Sequence, residues 1–257
     1  MRKPAQWEAF IWPVLVFALI LLGWHQAVKA TGTKVFPEPL EVLKGLAELS
    51  RKGLLWRYMG DSLRRASLGF SLAVLFGIPV GLVLGWYPAA AQTANPVIQM
   101  LRPISPIAWI PLAIVWFGIG DSSAVFLIFL AAFFPVTVAT TNAVRNVPQV
   151  FRRAGRNFGL SPVQVLTRVV FPAALPQILV GLRIALGIAW LVLVAAEMIA
   201  VDSGLGYLVI DSRNSGKRYD LVVAAMLTIG LIGLALDLAF RRIETVKAVR
   251  WGFRREA

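Results

Sequence analysis

Long apolar runs leave this chain little choice of fold. Stretches at 10–28, 66–86, 97–118, 122–144, 175–200 and 221–240 carry almost no charge, and each approaches or exceeds the ~20 residues a helix needs to cross a bilayer. In hydrocarbon every backbone N–H and C=O must find a partner inside the protein, so runs of this length fold as helices. Of 257 residues, 58% are hydrophobic and 15% charged, and the mean hydropathy is +0.72. The expectation is an all-α membrane protein, one transmembrane domain over residues 1–257 with six spans.

The charges sort these spans by side. The net charge of +13 is gathered at Arg2 and Lys3, in the loop 145–174, and in a tail holding Arg241, Arg242, Lys247, Arg250, Arg254 and Arg255. Basic loops stay on the cytoplasmic side. An even number of spans then places both termini and the central loop in the cytoplasm, with the run before the first loop read as a retained helix. The stretches 29–61 and 202–220 are nearly balanced in charge and belong outside. Because this distribution orients a membrane protein, the basic excess implies no nucleic-acid partner.

Other chemistry is excluded by composition. There is no Cys and one His, His25, so thiol chemistry is impossible, and a metal site or triad would have to be built at a membrane interface. An amphipathic anchor is the simpler role for His25. No stretch matches the phosphate-cradling G-x-x-x-x-G-K-[ST] loop, and Gly216-Lys217 lacks its glycine spacing. The chain is therefore expected to bind no cofactor and to catalyse nothing itself.

Several stretches carry local instructions. Phe36-Pro37-Glu38-Pro39 is a rigid turn opening an amphipathic helix, with Leu40, Leu43, Leu46 and Ala47 on one face, that lies on the outer surface. Gly69, Gly77, Gly81 and Gly85 repeat at four and eight residues and present small side chains to a neighbouring helix, in a span that Pro79 should kink. Residues 87–96 read as a turn. Arg102, Pro103, Pro106 and Pro111 crowd the third span. Such a segment either packs in protein or lines a water-filled path, or its prolines bend a peripheral helix. Arg102 either favours an anion or anchors at headgroups. Arg183 should snorkel to the headgroups. Glu197, beside an apolar run, either pairs with a neighbouring helix or loop backbone, or serves a pathway or gate.

The polar segment 150–176 is the most punctuated. It carries Arg152, Arg153, Arg156 and Arg168 and no acid. Pro148 suits a first helical turn, Gly159 a left-handed stop, Ser161-Pro162 an N-cap and N1 pair, and Pro172 an end. The expected form is helix, glycine turn, helix, with Ala154, Phe158, Val163 and Leu166 giving each piece a face to bury. Such a hairpin can dock on another protein.

Here the sequence resembles the bacterial ABC importer permeases. Their loop signature is Glu-Ala-Ala, three residues, Gly, nine residues, Ile, any residue, Leu-Pro. Ala154, Gly159 and Val169-Val170-Phe171-Pro172 keep its spacing, with Arg153 at the Glu position and Gly155 at the second Ala. The Arg-Pro-Ile and Trp-Phe-Gly-Ile-Gly pieces of the third span also match, and the likeness runs from Phe36-Pro37 through Leu236-Asp237. It is nearest the type I branch serving aliphatic sulfonates, taurine and nitrate.

The resemblance implies an inner-membrane permease working as a dimer. Its partners would be a second permease copy, two ATPase subunits that hold ATP-Mg, and an extracytoplasmic substrate-binding protein. Residues 150–172 would form the coupling helix, with Arg153, Ala154, Gly155, Phe158, Gly159, Leu160, Ser161, Pro162 and Pro172 at the ATPase contact. Arg102, Pro103, Pro106 and Glu197 are the candidate pathway residues. The alternative is a stand-alone secondary transporter or channel, against which stand the few intramembrane ionisable groups and the lack of an inverted repeat. An intramembrane enzyme is a third class, disfavoured by the missing Cys and the single His.

Overall fold

The computed structural model describes residues 8–31 and 35–244. The basic residues expected at Arg2, Lys3 and in the tail beyond 244 lie outside the described residues. The elements are α1 (Glu8–Thr31), α2 (Pro39–Arg51), α3 (Leu54–Trp86), α4 (Pro88–Leu101), α5 (Ile110–Phe117, led by a 3-10 turn Pro106–Trp109), α6 (Asp121–Asn146), α7 (Gln149–Asn157), α8 (Pro162–Val165), α9 (Phe171–Ile199), α10 (Leu205–Gly216) and α11 (Tyr219–Glu244).

By length and apolarity α3, α6, the continuous helix 162–199 and α11 can each cross a membrane. α4 and the 106–117 helix pass that test only as a pair, bent by 81°. Counting that pair once and adding α1, apolar over Val14–Ala30, gives a number that fits six spans.

The core is a three-helix wedge of α3, α6 and α9, whose facing residues Ala73, Ile128, Val136, Ala143, Ala185 and Leu193 are buried. The α3–α6 contact explains the glycine spacing. A Cβ on Gly69 would fall 2.6 Å from Ile128 Cβ, on Gly77 2.9 Å from Val136 Cγ1, on Gly81 2.5 Å from Thr140 Cβ, and on Gly85 2.6 Å from Val144 Cβ. Real Cβ atoms do not approach so closely, so the two backbones sit at a separation only glycine permits. Ala73 fills the one remaining step of the four-residue stripe and is fully buried. α3 stays helical through Pro79.

Several expectations are corrected. After the extended Tyr87, residues 88–96 are helical, within α4: Pro88 takes a first-turn position where its missing N–H is harmless, and the alanine-rich run after it favours helix. α3 starts at Leu54, a dozen residues before the apolar run, released by Gly53 in a left-handed conformation (φ 72°). In α2 the face buried in protein is Val42, Gly45 and Leu49, whereas Leu40, Leu43 and Ala47 are exposed. The helix is apolar on two sides, and α11 takes the one where Gly45 lets Leu221 approach. Arg183, expected only to snorkel, also pairs within the protein, 3.3 Å from Glu244 and 3.7 Å from Asp237.

α1 is held to the start of α2 by a hydrogen bond from Trp24 Nε1 to the Pro37 carbonyl, 3.1 Å, with His25 Nδ1 3.7 Å from Glu38. α2 is tied to the α10–α11 junction by ion pairs: Arg218 lies 2.6 Å from Glu48 and 2.8 Å from Asp220, and Lys52 lies 2.6 Å from Glu48. Hydrogen bonds from Arg218 and Lys52 hold the Glu48 carboxyl down at about 2 from 4.5.

Two outcomes follow from this packing. Gly81→Leu forces α3 off α6 and costs on the order of 1–3 kcal/mol or more, seen as loss of the monodisperse fraction after heating in detergent. Gly60→Ala, with open space around its Cβ, is neutral or slightly stabilising. Because the Glu48 carboxyl is depressed when folded, its contribution is complete above pH 4.5 and fades as pH falls toward about 2. The stability gap between the native chain and Glu48→Gln in a pH series should close over that window.

Candidate functional site

The segment 148–172 folds into a hairpin whose two arms are fixed by local chemistry. α7 ends in a Schellman motif: Leu160 N–H donates to the Gly155 carbonyl at 3.1 Å and Gly159 N–H to that of Arg156 at 2.9 Å. Gly159 supplies the required left-handed residue (φ 77°). Ser161 then forms a reciprocal capping box with Gln164, at 3.3 and 2.9 Å, with Pro162 in the first turn of α8. Gly155 is buried against α8, where an added Cβ would lie 3.2 Å from Val165 Cγ2. A glycine at this position therefore lets the arms close.

Pro172 does not end the second arm, as the sequence suggested. α8 runs through a π turn, Leu166–Val170, directly into α9. The Phe171 N–H reaches back five residues to the Leu166 carbonyl, and Pro172, which needs no partner for a missing N–H, sits in the opening turn of α9. Residues 162–199 are thus one helix of 38 residues, and the hairpin is the end of a transmembrane rod.

The buried faces also differ from expectation. Gly155, Val165 and Val170 are buried, whereas Phe158 is 86% and Val163 65% exposed. Phe158 is the most exposed large apolar side chain among the described residues. Val150, Phe151, Arg153, Arg156 and Arg168 are exposed as well, giving a polar loop an apolar, cationic outer surface. Ala154 and Leu160 are half-buried, and Ser161 and Pro162 are exposed.

Arg152 fastens this hairpin to the bundle. Its Nη2 donates to the Val144 carbonyl near the end of α6 at 2.6 Å, and its guanidinium stands 5.3 Å from the Trp86 ring at the end of α3. Burial, with some repulsion from Arg156, lowers its basicity.

The pathway candidates separate into two places. Arg102, Pro103 and Ser105 occupy the break between α4 and the 106–117 helix, and Arg102 and Pro106 line a cavity of about 210 Å³ with Trp109, Phe134, Pro135 and Ile188. Glu197 lies elsewhere, at the far end of α9, and is fully buried. Its Oε1 lies 2.8 Å from Arg65 Nη1, and its Oε2 accepts from the Gly206 N–H at 3.0 Å. The Ser62 hydroxyl is 2.8 Å from both carboxylate oxygens and accepts from the Leu205 N–H at 2.9 Å. Glu197 and Ser62 thereby satisfy the N-terminus of α10, where a negative charge is favoured.

Arg65 is shared more widely. Its Nε is 2.6 Å from Asp121 Oδ1, Nη1 2.8 Å from the Ser203 carbonyl and Nη2 2.6 Å from Ser203 Oγ. Arg64 also pairs with Asp121. Gly204 (φ 104°) passes directly over the Glu197 carboxylate, leaving no room for a Cβ. The network joins α3, α6, α9 and α10. Sequence reasoning found Glu197 and missed Arg65. The signal was there: Arg65 stands four residues before Gly69 and continues the stripe toward α6.

Removing Arg65 leaves a buried carboxylate with neutral donors only, so Arg65→Met should cost about 3–5 kcal/mol. Glu197→Gln leaves Arg65 still paired with Asp121 and Ser203, and should be milder. Parallel thermal unfolding of the two variants checks this order; equal losses would mean that the pair does not organise the network.

A family model described as "Binding-protein-dependent transport system inner membrane component" matches residues 73–246. The taurine transport system permease protein TauC of Escherichia coli is 40% identical over 232 residues, covering 88% of this chain and 84% of its own length. The putative aliphatic sulfonates transport permease protein SsuC of Bacillus subtilis is 34% identical over 252 residues, with 97% and 90% covered. The nitrate import permease protein NrtB of a Synechocystis strain is 33% identical over 244 residues, with 91% and 88% covered. Among solved structures, an inward-facing MetNI methionine ABC transporter aligns over 76% of this chain and 96% of the matched chain, with a TM-score of 0.67 at 21% identity, a likeness of fold. With a helix bundle tied at its two ends by ionic and cation–π latches and a surface hairpin on a membrane-length helix, the chain belongs to the binding-protein-dependent transport system inner membrane components, the permease subunits of ABC importers.

Proposed function

We propose that the chain, as a single permease domain, is the translocation subunit of an ATP-driven importer for a small anionic solute such as a sulfonate, taurine or nitrate. Two copies form the path between them, and two separate ATPase subunits supply the work. The observation that carries the coupling is the exposed surface of the hairpin 150–172, with Phe158, Val163, Phe151 and Arg153 outermost on a segment that lies beyond the spans. An apolar, cationic knob of this kind suits a groove with apolar walls and acidic rims, and the capping motifs keep it rigid. Its basic character and that of the tail assign this end, with both termini, to the cytoplasm of a bacterial cell. ATP-Mg stays on the partner subunits.

The substrate class rests on the relatives named for taurine, sulfonates and nitrate. Delivery by an extracytoplasmic binding protein follows from the family description. In the proposed cycle, closure of the ATPases shifts the hairpin, and the 162–199 rod carries the shift across the membrane. Arg102, Pro103 and Pro106 stand along the path. Glu197 holds the far end of the rod in register, a positioning role more than a gating one, because all its neighbours satisfy it within the chain.

The docking surface and its geometry are separately testable. Ala154→Asp and Phe158→Asp should abolish ATP-driven uptake of taurine or nitrate in vesicles and lose co-purification of the ATPase, while membrane insertion is kept. Gly159→Pro, incompatible with the left-handed residue, should do the same. Normal uptake with normal co-purification in these variants would refute the docking assignment.

A further inference from the structure

We propose that Arg102 is a solute-contacting cation at the middle of the membrane, and that it selects for anions. The proposal rests on the anion-importer reading given above and adds the residue that reads the charge. Its basis is position and company. Arg102 lies in the break between α4 and the 106–117 helix, where the chain turns by 81°. It is exposed to the cavity it lines with Leu101, Ile104, Pro106 and Trp109.

Depth can be read from the helices facing it. The cavity's α6 wall is Leu130, Ala131, Phe134 and Pro135, about 14–21 Å along the helix from Asp121 at 1.5 Å per residue, and a similar distance from Asn146. The hydrocarbon core is about 30 Å thick. Arg102 therefore meets the cavity near half-depth, far from either headgroup layer. An anchoring role needs a cation near an interface, and this one is not.

Company then separates Arg102 from the arginines that pair within the bundle. Arg65 meets Asp121 and Glu197, and Arg183 meets Asp237 and Glu244. Among the described residues no acidic side chain pairs with Arg102, and the cavity lining contains no carboxylate. A cation at this depth is costly and persists where it meets water or a counter-charge. The cavity's volume of about 210 Å³ is below the ~300–1,000 Å³ of sites for drug-sized ligands. It is the size for a hydrated small oxyanion or a sulfonate. A guanidinium presents a planar fork of N–H donors suited to two oxygens of such a group.

The chain contains no Cys, which allows a direct test in the full complex of permease and ATPase subunits in liposomes. Arg102→Cys should lower uptake of taurine, ethanesulfonate and nitrate at least tenfold, with assembly and basal ATP hydrolysis kept. Treatment with 2-aminoethyl methanethiosulfonate, which restores a positive charge as a mixed disulfide, should recover much of the uptake. The anionic 2-sulfonatoethyl reagent should not, and the native complex treated with the same two reagents serves as control for thiols on other subunits. Arg102→Lys should be intermediate. Native-level uptake by Arg102→Cys, or equal effects of the two reagents, would overturn the assignment. Uptake by the native complex that survives only in liposomes containing anionic lipid, with the Arg102→Cys defect vanishing in neutral lipid, would place a headgroup on Arg102 and overturn it too. If the native complex carries none of these anions with ATP, the importer reading itself fails, an outcome distinct from failure at Arg102 alone.

Discussion

The close approach of α3 and α6 is the constraint from which the other features follow. A stripe of glycines opposite Ile128, Val136, Thr140 and Val144 brings two backbones together over about four and a half helical turns, and in lipid such packing is a main source of helix association. Both latches are placed by this contact. At one end it sets Arg65 beside Asp121, the first residue of α6. At the other it sets Trp86 near the Val144 carbonyl, where Arg152 can reach both. One stripe of missing side chains thus sets the Arg65 latch and the Trp86 ring that meets Arg152 about thirty ångströms apart along α3.

The second organising element is the rod that begins inside the hairpin and ends at Glu197. A proline at the start of a transmembrane helix ordinarily marks a joint. Here a π turn absorbs Pro172 without freeing the chain, so α8 and α9 move together. Arg152 ties the other arm of the hairpin to α3 and α6, while the 162–199 rod belongs to α9. A displacement at the hairpin is therefore resisted at two sites, the Arg152 contacts and the Glu197 network. The bundle tilts as packed bodies more readily than it deforms.

Much of this was legible in the sequence wherever the signal is periodic or conformational. The spans come from apolar length, the glycine stripe from its spacing, and the hairpin from Gly159 and Ser161-Pro162, each needed for a specific backbone geometry. Charge pairing was not legible. Arg65 and Glu197 are separated by 132 positions, and no local rule couples residues so far apart. The stretch 87–96 was misread because two prolines outweighed the alanines between them, although Pro88 takes the first turn of α4 and the helix continues through Pro96. Phe158 and Val163 were expected to be buried and are exposed, since a helix's apolar face states only that something covers it. On this hairpin no described residue supplies the cover.

The arginines bring these strands together. Moving a guanidinium out of water is expensive, and the chain meets that cost in different ways. Arg65 and Arg183 are compensated by carboxylates, which makes them parts of the frame. Arg152 is met by a carbonyl acceptor and an indole face, neither of them charged, and this contact locates the hairpin on the bundle. Arg102 has no counter-charge among the described residues and faces a cavity at half-depth. A frame residue consumes its charge in holding the fold, whereas an unspent charge remains available to a passing ligand. On that distinction the frame of this permease is built from closed ion pairs, and the anion selection proposed for Arg102 draws on a charge the frame does not use.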